Sequence, residues 1–179
     1  MNEKKRILAI SGSTRTRSAN GYLIKAISEI SQDIFTIEVY NSLAELPHFN
    51  PDLDNDNPPL QVTNFRNKLK KAEGILICTP EYAMGVPGSL KNAIDWTVSS
   101  CEFSKKPTAL ITASSSGLKG HASLLESLRI IEAQIADDAQ LVISYVKIKI
   151  SDQGIIIDDS TLTQVKKLIS ALNELLRSN

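Results

Sequence analysis

Ten consecutive residues, Gly12 to Gly21, carry four hydroxyl side chains (Ser13, Thr14, Thr16 and Ser18) and two arginines (Arg15 and Arg17), with no acid among them. Phosphate oxygens bind where several donors converge. Hydroxyls, free backbone N–H groups and a helix N-terminus supply such donors, and an arginine adds charge-assisted bonds. Gly12 allows a tight backbone turn. A hydroxyl-rich turn that merely caps a helix has the same composition. Position favours the phosphate reading, because the run follows the short apolar stretch Ile7 to Ile10, which reads as a strand. No Gly-Lys-Ser/Thr follows and GxGxxG is absent, which argues against ATP and against Rossmann-type dinucleotide binding. No set of metal ligands accompanies the run, so a lone monophosphate is the ligand it suits.

A second run, Thr79 to Gly88, holds two prolines and two glycines, which constrain the path of the chain while leaving backbone exposed. Pro80, Tyr82, Ala83 and Met84 offer apolar or aromatic cover for a flat heterocycle, and backbone N–H groups offer donors to its edge. Glu81 reads as a solvated loop acid rather than a catalytic one. A phosphate cradle beside a flat-ligand platform suits FMN. Hydride transfer to a flavin demands no side-chain acid, since the cofactor carries the chemistry. The expected catalytic side-chain set is therefore empty, and so is the metal set.

The elements that must hold these runs alternate along the chain. Short apolar segments fall at Arg6–Ile10, Ile34–Tyr40, Gly74–Thr79, Pro107–Ala113 and Leu141–Val146. Amphipathic segments lie between or after them: from about Asn20, from Leu60 to Lys71, from Pro87 to Ser99, from His121 to about Ile135, and after Asp158. This order predicts an α/β fold: a doubly wound, five-stranded parallel sheet of order 2-1-3-4-5, flavodoxin-like, with helices on both faces. Ligands of such sheets bind at the carboxyl ends of the strands, where both runs lie. The second strand alternates apolar and polar residues, as a strand near the sheet margin does. A length of 179 residues suits a single domain, 1–179.

Composition narrows the class further. Lys and Arg total 20 and Asp and Glu total 20, so no net charge draws the chain to nucleic acid or an acidic membrane. The start, Met1 to Arg6, leads into an apolar stretch too short for a signal segment or a span, and a cytoplasmic protein is expected. Cys78 and Cys101 form no CxxC pair and read as buried or half-buried thiols. The Pro/Asn/Asp-rich stretch Pro47–Pro59 reads as a surface connector, or as a loop shaping a pocket or a subunit contact.

Both runs resemble a known family. Ser11 to Asn20 is similar to the GSxRxxSxN loop of the NAD(P)H-dependent FMN reductases, and Thr79-Pro80-Glu81-Tyr82 with Pro87 to Trp96 resembles their TPEY…PGxLKNAIDW segment. That family includes bacterial quinone, azo-dye and chromate reductases and reductases of free flavin. The resemblance implies an oxidoreductase that takes hydride from NAD(P)H onto flavin N5 and passes two electrons to a flat acceptor. It puts Ser11, Ser13, Arg15, Ser18, Ala19 and Asn20 around the phosphate end, with Ser13, Arg15, Ser18 and Asn20 on the phosphate itself. Pro80, Glu81, Tyr82 and Ala83 then run along the isoalloxazine, largely through backbone, and Ser115, Ser116 and Gly117 flank its pyrimidine side. Gly117 and its neighbours become the expected donors to the N1/C2=O edge.

The resemblance also implies a homodimer or homotetramer, with Trp96 either at that contact or in the core. Two positions depart from the pattern. Ala83 stands where relatives usually carry Asn, which puts one polar contact in doubt. His121 follows Gly120 where relatives pair glycines; it either narrows the acceptor entrance or is a solvated first-turn residue. A one-electron carrier like flavodoxin, or a non-catalytic FMN-binding module, is the alternative. Carriers of that kind are strongly acidic, whereas this chain is neutral.

Overall fold

A computed structural model of the chain describes residues 3–178. Met1, Asn2 and Asn179 lie outside that range, as do the first two residues of the segment read for a leader. Five parallel strands, β1 (Lys5–Ser11), β2 (Phe35–Tyr40), β3 (Gly74–Thr79), β4 (Thr108–Ala113) and β5 (Gln140–Ile143), form one sheet in the order β2-β1-β3-β4-β5. Five helices follow them: α1 (Ala19–Ile30), α2 (Leu60–Lys71), α3 (Gly88–Asp95), α4 (Leu118–Ile130) and α5 (Asp159–Ser178). This is the order and topology expected from the alternation of apolar and amphipathic segments.

The strand period of two divides the core into layers. Ile7, Ala9, Leu76, Cys78, Ala109 and Ile111 face α1 and α5, meeting Leu23, Ile27, Val165 and Leu172. Leu8, Ile10, Ile75, Ile77 and Leu110 face the other way, onto Phe65 and Leu69 of α2, Leu90 and Ile94 of α3, and Leu124 and Leu128 of α4. β3 and β4 are buried along their whole length, as central parallel strands are. β2 buries only its ends and lies at the margin.

Two helices end earlier than their patterns suggest. α4 runs Leu118–Ile130, not His121 to Ile135, because the chain beyond it pairs with the segment entering β4. Glu132 turns to a φ of 62°. Ala133 N–H then bonds back to Leu128 O, and Gln134 N–H to Lys106 O. α3 stops at Asp95, where Trp96 and Thr97 begin a series of turns. Cys101 emerges from those turns exposed, contrary to the buried or half-buried state expected of it; Cys78 is fully buried in β3, and burial pushes its thiol pKa up.

The stretch from Pro47 to Pro59 is docked onto α2 and α3. Trp96 donates its indole N–H to Pro47 O at 2.8 Å, and Asn92 bridges Pro47 O and Phe49 N–H. Phe49 stands edge-on to the Trp96 ring at 5.1 Å. Arg66, itself buried, reaches Asp54 at 2.7 Å. Trp96 is completely buried. Of the two places considered for it, core and subunit border, it takes the core.

Candidate functional site

β1, β3 and β4 are neighbours in the sheet, so the turns leaving their carboxyl ends converge. A cavity of about 830 Å³ lies between them. Ser13, Arg15, Ser18, Ala19 and Asn20 line it from the first turn, Pro80, Glu81 and Tyr82 from the second, and Ser114 and Ser115 from the third. A smaller cavity of about 340 Å³ lies on the other side of the first turn and shares Ser13, Arg15 and Ser18 with it.

The first turn is shaped by its own polar atoms. Gly12 N–H continues the sheet by bonding Cys78 O at 2.8 Å. A Cβ on Gly12 would come within 2.2 Å of Thr79 Oγ1, so only glycine lets the two turns approach this closely. Ser11 braces the loop, its hydroxyl donating to Ser13 O and accepting from Ser13 N–H. It lines the smaller cavity and not the larger one.

Ser18 caps α1 in extended conformation, yet its side chain makes no capping bond, and the first turn of α1 holds no acid. The helix start is thus left electropositive, with N–H groups that have no intrahelical partner. Arg15 and Arg17 are exposed, and among the described residues neither forms an ion pair. Asn20 is buried; its Nδ2 donates to Ala113 O at 3.1 Å, tying the first turn to the end of β4, while its Oδ1 has no partner. The orphaned atom is an acceptor, which suits a ligand hydroxyl better than the phosphate expected there.

The second turn is a two-residue reversal. Tyr82 and Gly85 exchange both N–H···O bonds at 2.9 Å. Ala83 and Met84 between them sit at φ of 50° and 62°, a geometry that favours Asn and Gly. Ala83 therefore occupies a position where Asn fits for backbone reasons, and it does not line the cavity. Tyr82, about half exposed, does.

Glu81 is not the solvated acid expected. Its Oε2 accepts from Gly120 N–H at 2.6 Å and its Oε1 from Gly117 N–H at 3.2 Å. α4 has no side-chain cap of its own, since its cap residue is Gly117 at φ 101°. Glu81 supplies that cap from another loop. The Gly120 N–H bond, joined by those of Gly117 and Lys119, outweighs burial and holds the carboxyl below the usual glutamate range.

The same contacts correct the expectation for Gly117: its N–H is taken by Glu81, so it is no free donor to a flavin edge, and neither Gly117 nor Ser116 lines the cavity. Ser114 and Ser115 do, and they are held from behind, where Val146 N–H bonds Ser114 O and Tyr145 N–H bonds Ser115 O.

His121 differs from both readings offered for it. It is buried beneath α4, with Nδ1 3.0 Å from Thr112 Oγ1 and Nε2 3.2 Å from Gln140 Oε1. Burial lowers its pKa and Gln140 only partly opposes that, so the ring is neutral near pH 7. Because an amide oxygen can only accept, Nε2 carries the proton and Nδ1 accepts from the threonine. The ring bolts α4 to β4 and β5 and does not narrow any entrance.

The fourth wall went unread in the sequence. The segment after β5, including Tyr145, Lys147, Ile148 and Asp152, also lines the cavity, and Lys25 of α1 fastens it by donating to Gln153 O. The available signal was topological: the turn after β5 leaves the sheet at the same end as the other three.

The sequence has relatives. The family model described as NADPH-dependent FMN reductase matches residues 5–147. A quinone reductase of Escherichia coli strain K12 is 29% identical over 185 residues, spanning 99% of this chain and 98% of its own. The NADH-dependent flavin reductase subunit 2 of Lactobacillus johnsonii is 33% identical over 128 residues, which is 69% of this chain and 67% of its own. Among solved structures, the flavoenzyme NAD(P)H:(acceptor) oxidoreductase FerB of Paracoccus denitrificans superposes with a TM-score of 0.80 at 23% identity, covering 97% of this chain and 98% of its own. At that identity it speaks for the shared fold alone.

Proposed function

From a chain that belongs to the NADPH-dependent FMN reductase family, we infer an FMN-containing oxidoreductase that takes hydride from NAD(P)H and passes two electrons to a flat acceptor of the quinone, azo-dye or free-flavin kind. One observation carries the assignment of the site: turns from β1, β3 and β4 line a single cavity of about 830 Å³, large enough for a planar ring system with a phosphorylated tail.

The residues present fit that cofactor. The start of α1, with Ser18, Ser13 and Arg15 around it and no acid, is suited to a phosphate. The unpartnered Asn20 Oδ1 calls for a donor, and a ribityl hydroxyl would provide one. Pro80 and Tyr82 offer the ring an apolar and aromatic side, and Ser114 and Ser115 a polar one. Bound here, the flavin supplies an acceptor for hydride and a donor of electrons. The chain's part is to hold the phosphate, orient the ring between two turns, and leave one face open to successive flat partners. No side chain in the cavity has to move a proton.

The exposed Tyr82, Met84 and Leu118 beside the cavity support a homo-oligomer, whose mass light scattering would read. The free thiols fit a cytoplasmic setting, and among the described residues no helix is long and apolar enough to cross a membrane. We read residues 1–179 as one domain, both helical layers packing on one sheet.

The test is spectroscopic. Purified protein titrated with FMN should quench flavin fluorescence, and NADH or NADPH should then bleach the bound flavin without a partner protein. A panel of quinones, azo dyes and free flavins should restore the colour. Flavin that binds but stays yellow with both nicotinamides would favour an electron carrier.

A further inference from the structure

Two helices follow turns that line this cavity, α1 and α4, and the chain treats their positive ends in opposite ways. α1 starts without an acid and without a side-chain cap. α4 starts with its N–H groups occupied by Glu81, an acid borrowed from the turn after β3. The fit is close: a Cβ on Gly120 would lie 2.9 Å from Gly85 O and 3.1 Å from Glu81 Cγ, so the second turn and the helix start are pressed together with the carboxylate between them. Ser114 Oγ adds a bond to Glu81 O at 3.3 Å. Both turns that would grip the ring are thus joined through one residue that lines the cavity, and its negative charge sits at the start of α4 next to it.

We propose that Glu81 is a positioning residue with two separable effects: its reach locks the turn after β3 to the start of α4, and its charge holds down the reduction potential of the bound flavin. The proposal rests on the flavin reading of the cavity given above. Reduction adds electron density to the ring, and a nearby carboxylate opposes that. Removing the carboxylate also uncovers the positive end of α4, which favours the reduced ring. The two electrostatic contributions have the same sign. The lock acts on affinity instead, because a ring held between two turns binds less tightly when the turns move independently.

Three forms of the holoprotein separate these effects. Glu81→Gln keeps the length and loses the charge; its amide nitrogen cannot accept from a second N–H. Glu81→Asp keeps the charge and loses the reach. In Glu81→Gln the potential of bound FMN, measured by dye-coupled titration, should rise, and the FMN dissociation constant should increase about tenfold, the loss of one charge-assisted bond. In Glu81→Asp the dissociation constant should rise by a similar factor while the potential rises clearly less than in Glu81→Gln, because the charge remains and only the cover over α4 is lost. A potential in Glu81→Gln equal to the parent's would overturn the charge effect. A shift in Glu81→Asp as large as in Glu81→Gln would overturn it too, by tying the potential to geometry alone. Unchanged affinity in both variants would overturn the lock. If the parent protein itself binds no FMN, the flavin reading fails, and that outcome is distinct from any of these.

Discussion

The segment from Pro47 to Pro59, rich in Pro, Asn and Asp, and the turns around the cavity, rich in Ser, Thr, Gly and Pro, are both made of turn-forming residues, yet the structure uses them in opposite ways. The first closes on itself. Asn50 caps its own short helical turn, Asn92 satisfies two backbone groups, Trp96 finds Pro47, and Asp54 meets Arg66 and Ser99. The second leaves its polar groups open: Ser18 caps without bonding, Asn20 Oδ1 is orphaned, and Ala83 and Met84 stand in left-handed backbone. Native chains seldom leave buried polar atoms unpaired or residues strained without a use for them. Between these two regions, the pattern of satisfaction separates one that sets stability from one that sets binding.

The division breaks most visibly if a residue from the docked side alters binding. Trp96→Ala removes a fully buried indole and should cost about 3–5 kcal/mol, read as a lowered urea midpoint. The fraction still folded should bind FMN nearly as the parent does. Next in size, Asp54→Ala leaves the Arg66 guanidinium without its carboxylate and should cost about 2 kcal/mol. That contribution has a pH signature. Burial raises the Asp54 pKa, but the bonds from Arg66 and Ser99 prevail, so the folded value lies below the ordinary 3.8. A depressed carboxyl pKa gives stability that is complete above the unfolded value and is lost as pH falls through the folded one. The gap between parent and variant should therefore hold at neutral pH and shrink below about pH 4; a gap that widens in acid contradicts the assignment.

On the cavity side the expected pattern reverses. Arg15→Ala should weaken FMN binding about tenfold with little change in the urea midpoint, since Arg15 is exposed and has no partner to lose among the described residues. Equilibrium titration of flavin fluorescence measures it. An unchanged dissociation constant would remove Arg15 from the phosphate end.

How legible these regions were in the sequence follows from range. Strand order and helix placement were readable because apolar period is a local signal, and β3 and β4 announce themselves as short, mostly apolar runs. The turns of the cavity were readable because they follow strands whose order was already inferred. What could not be read were contacts between distant residues. Glu81 looks solvated until α4 is placed 36 residues further on to meet it. His121 looks like a helix surface residue until β5 brings Gln140 beneath it. Arg66 sits in a polar helix pattern and becomes buried only when Trp96 and Asp54 close over it. Each is a polar side chain whose partner lies far along the chain, and composition holds no trace of such pairs.

The finest test concerns the strained turn, where stability and binding meet. Ala83 at φ 50° carries a Cβ in a conformation that disfavours one, by about 1 kcal/mol or somewhat more. Glycine removes that cost but adds backbone freedom to the unfolded chain, which returns part of it. Ala83→Gly should therefore raise stability by about 0.5 kcal/mol, a small upward shift in the urea midpoint. Asn, which tolerates this backbone and is the residue relatives usually carry, should do as well without the added freedom. Since Ala83 does not line the cavity, neither change should alter FMN affinity beyond a small factor. If Ala83→Asn instead tightened FMN strongly while leaving stability unchanged, the amide would be making a contact with the ligand, and the residue would belong with Tyr82 on the binding side of the division.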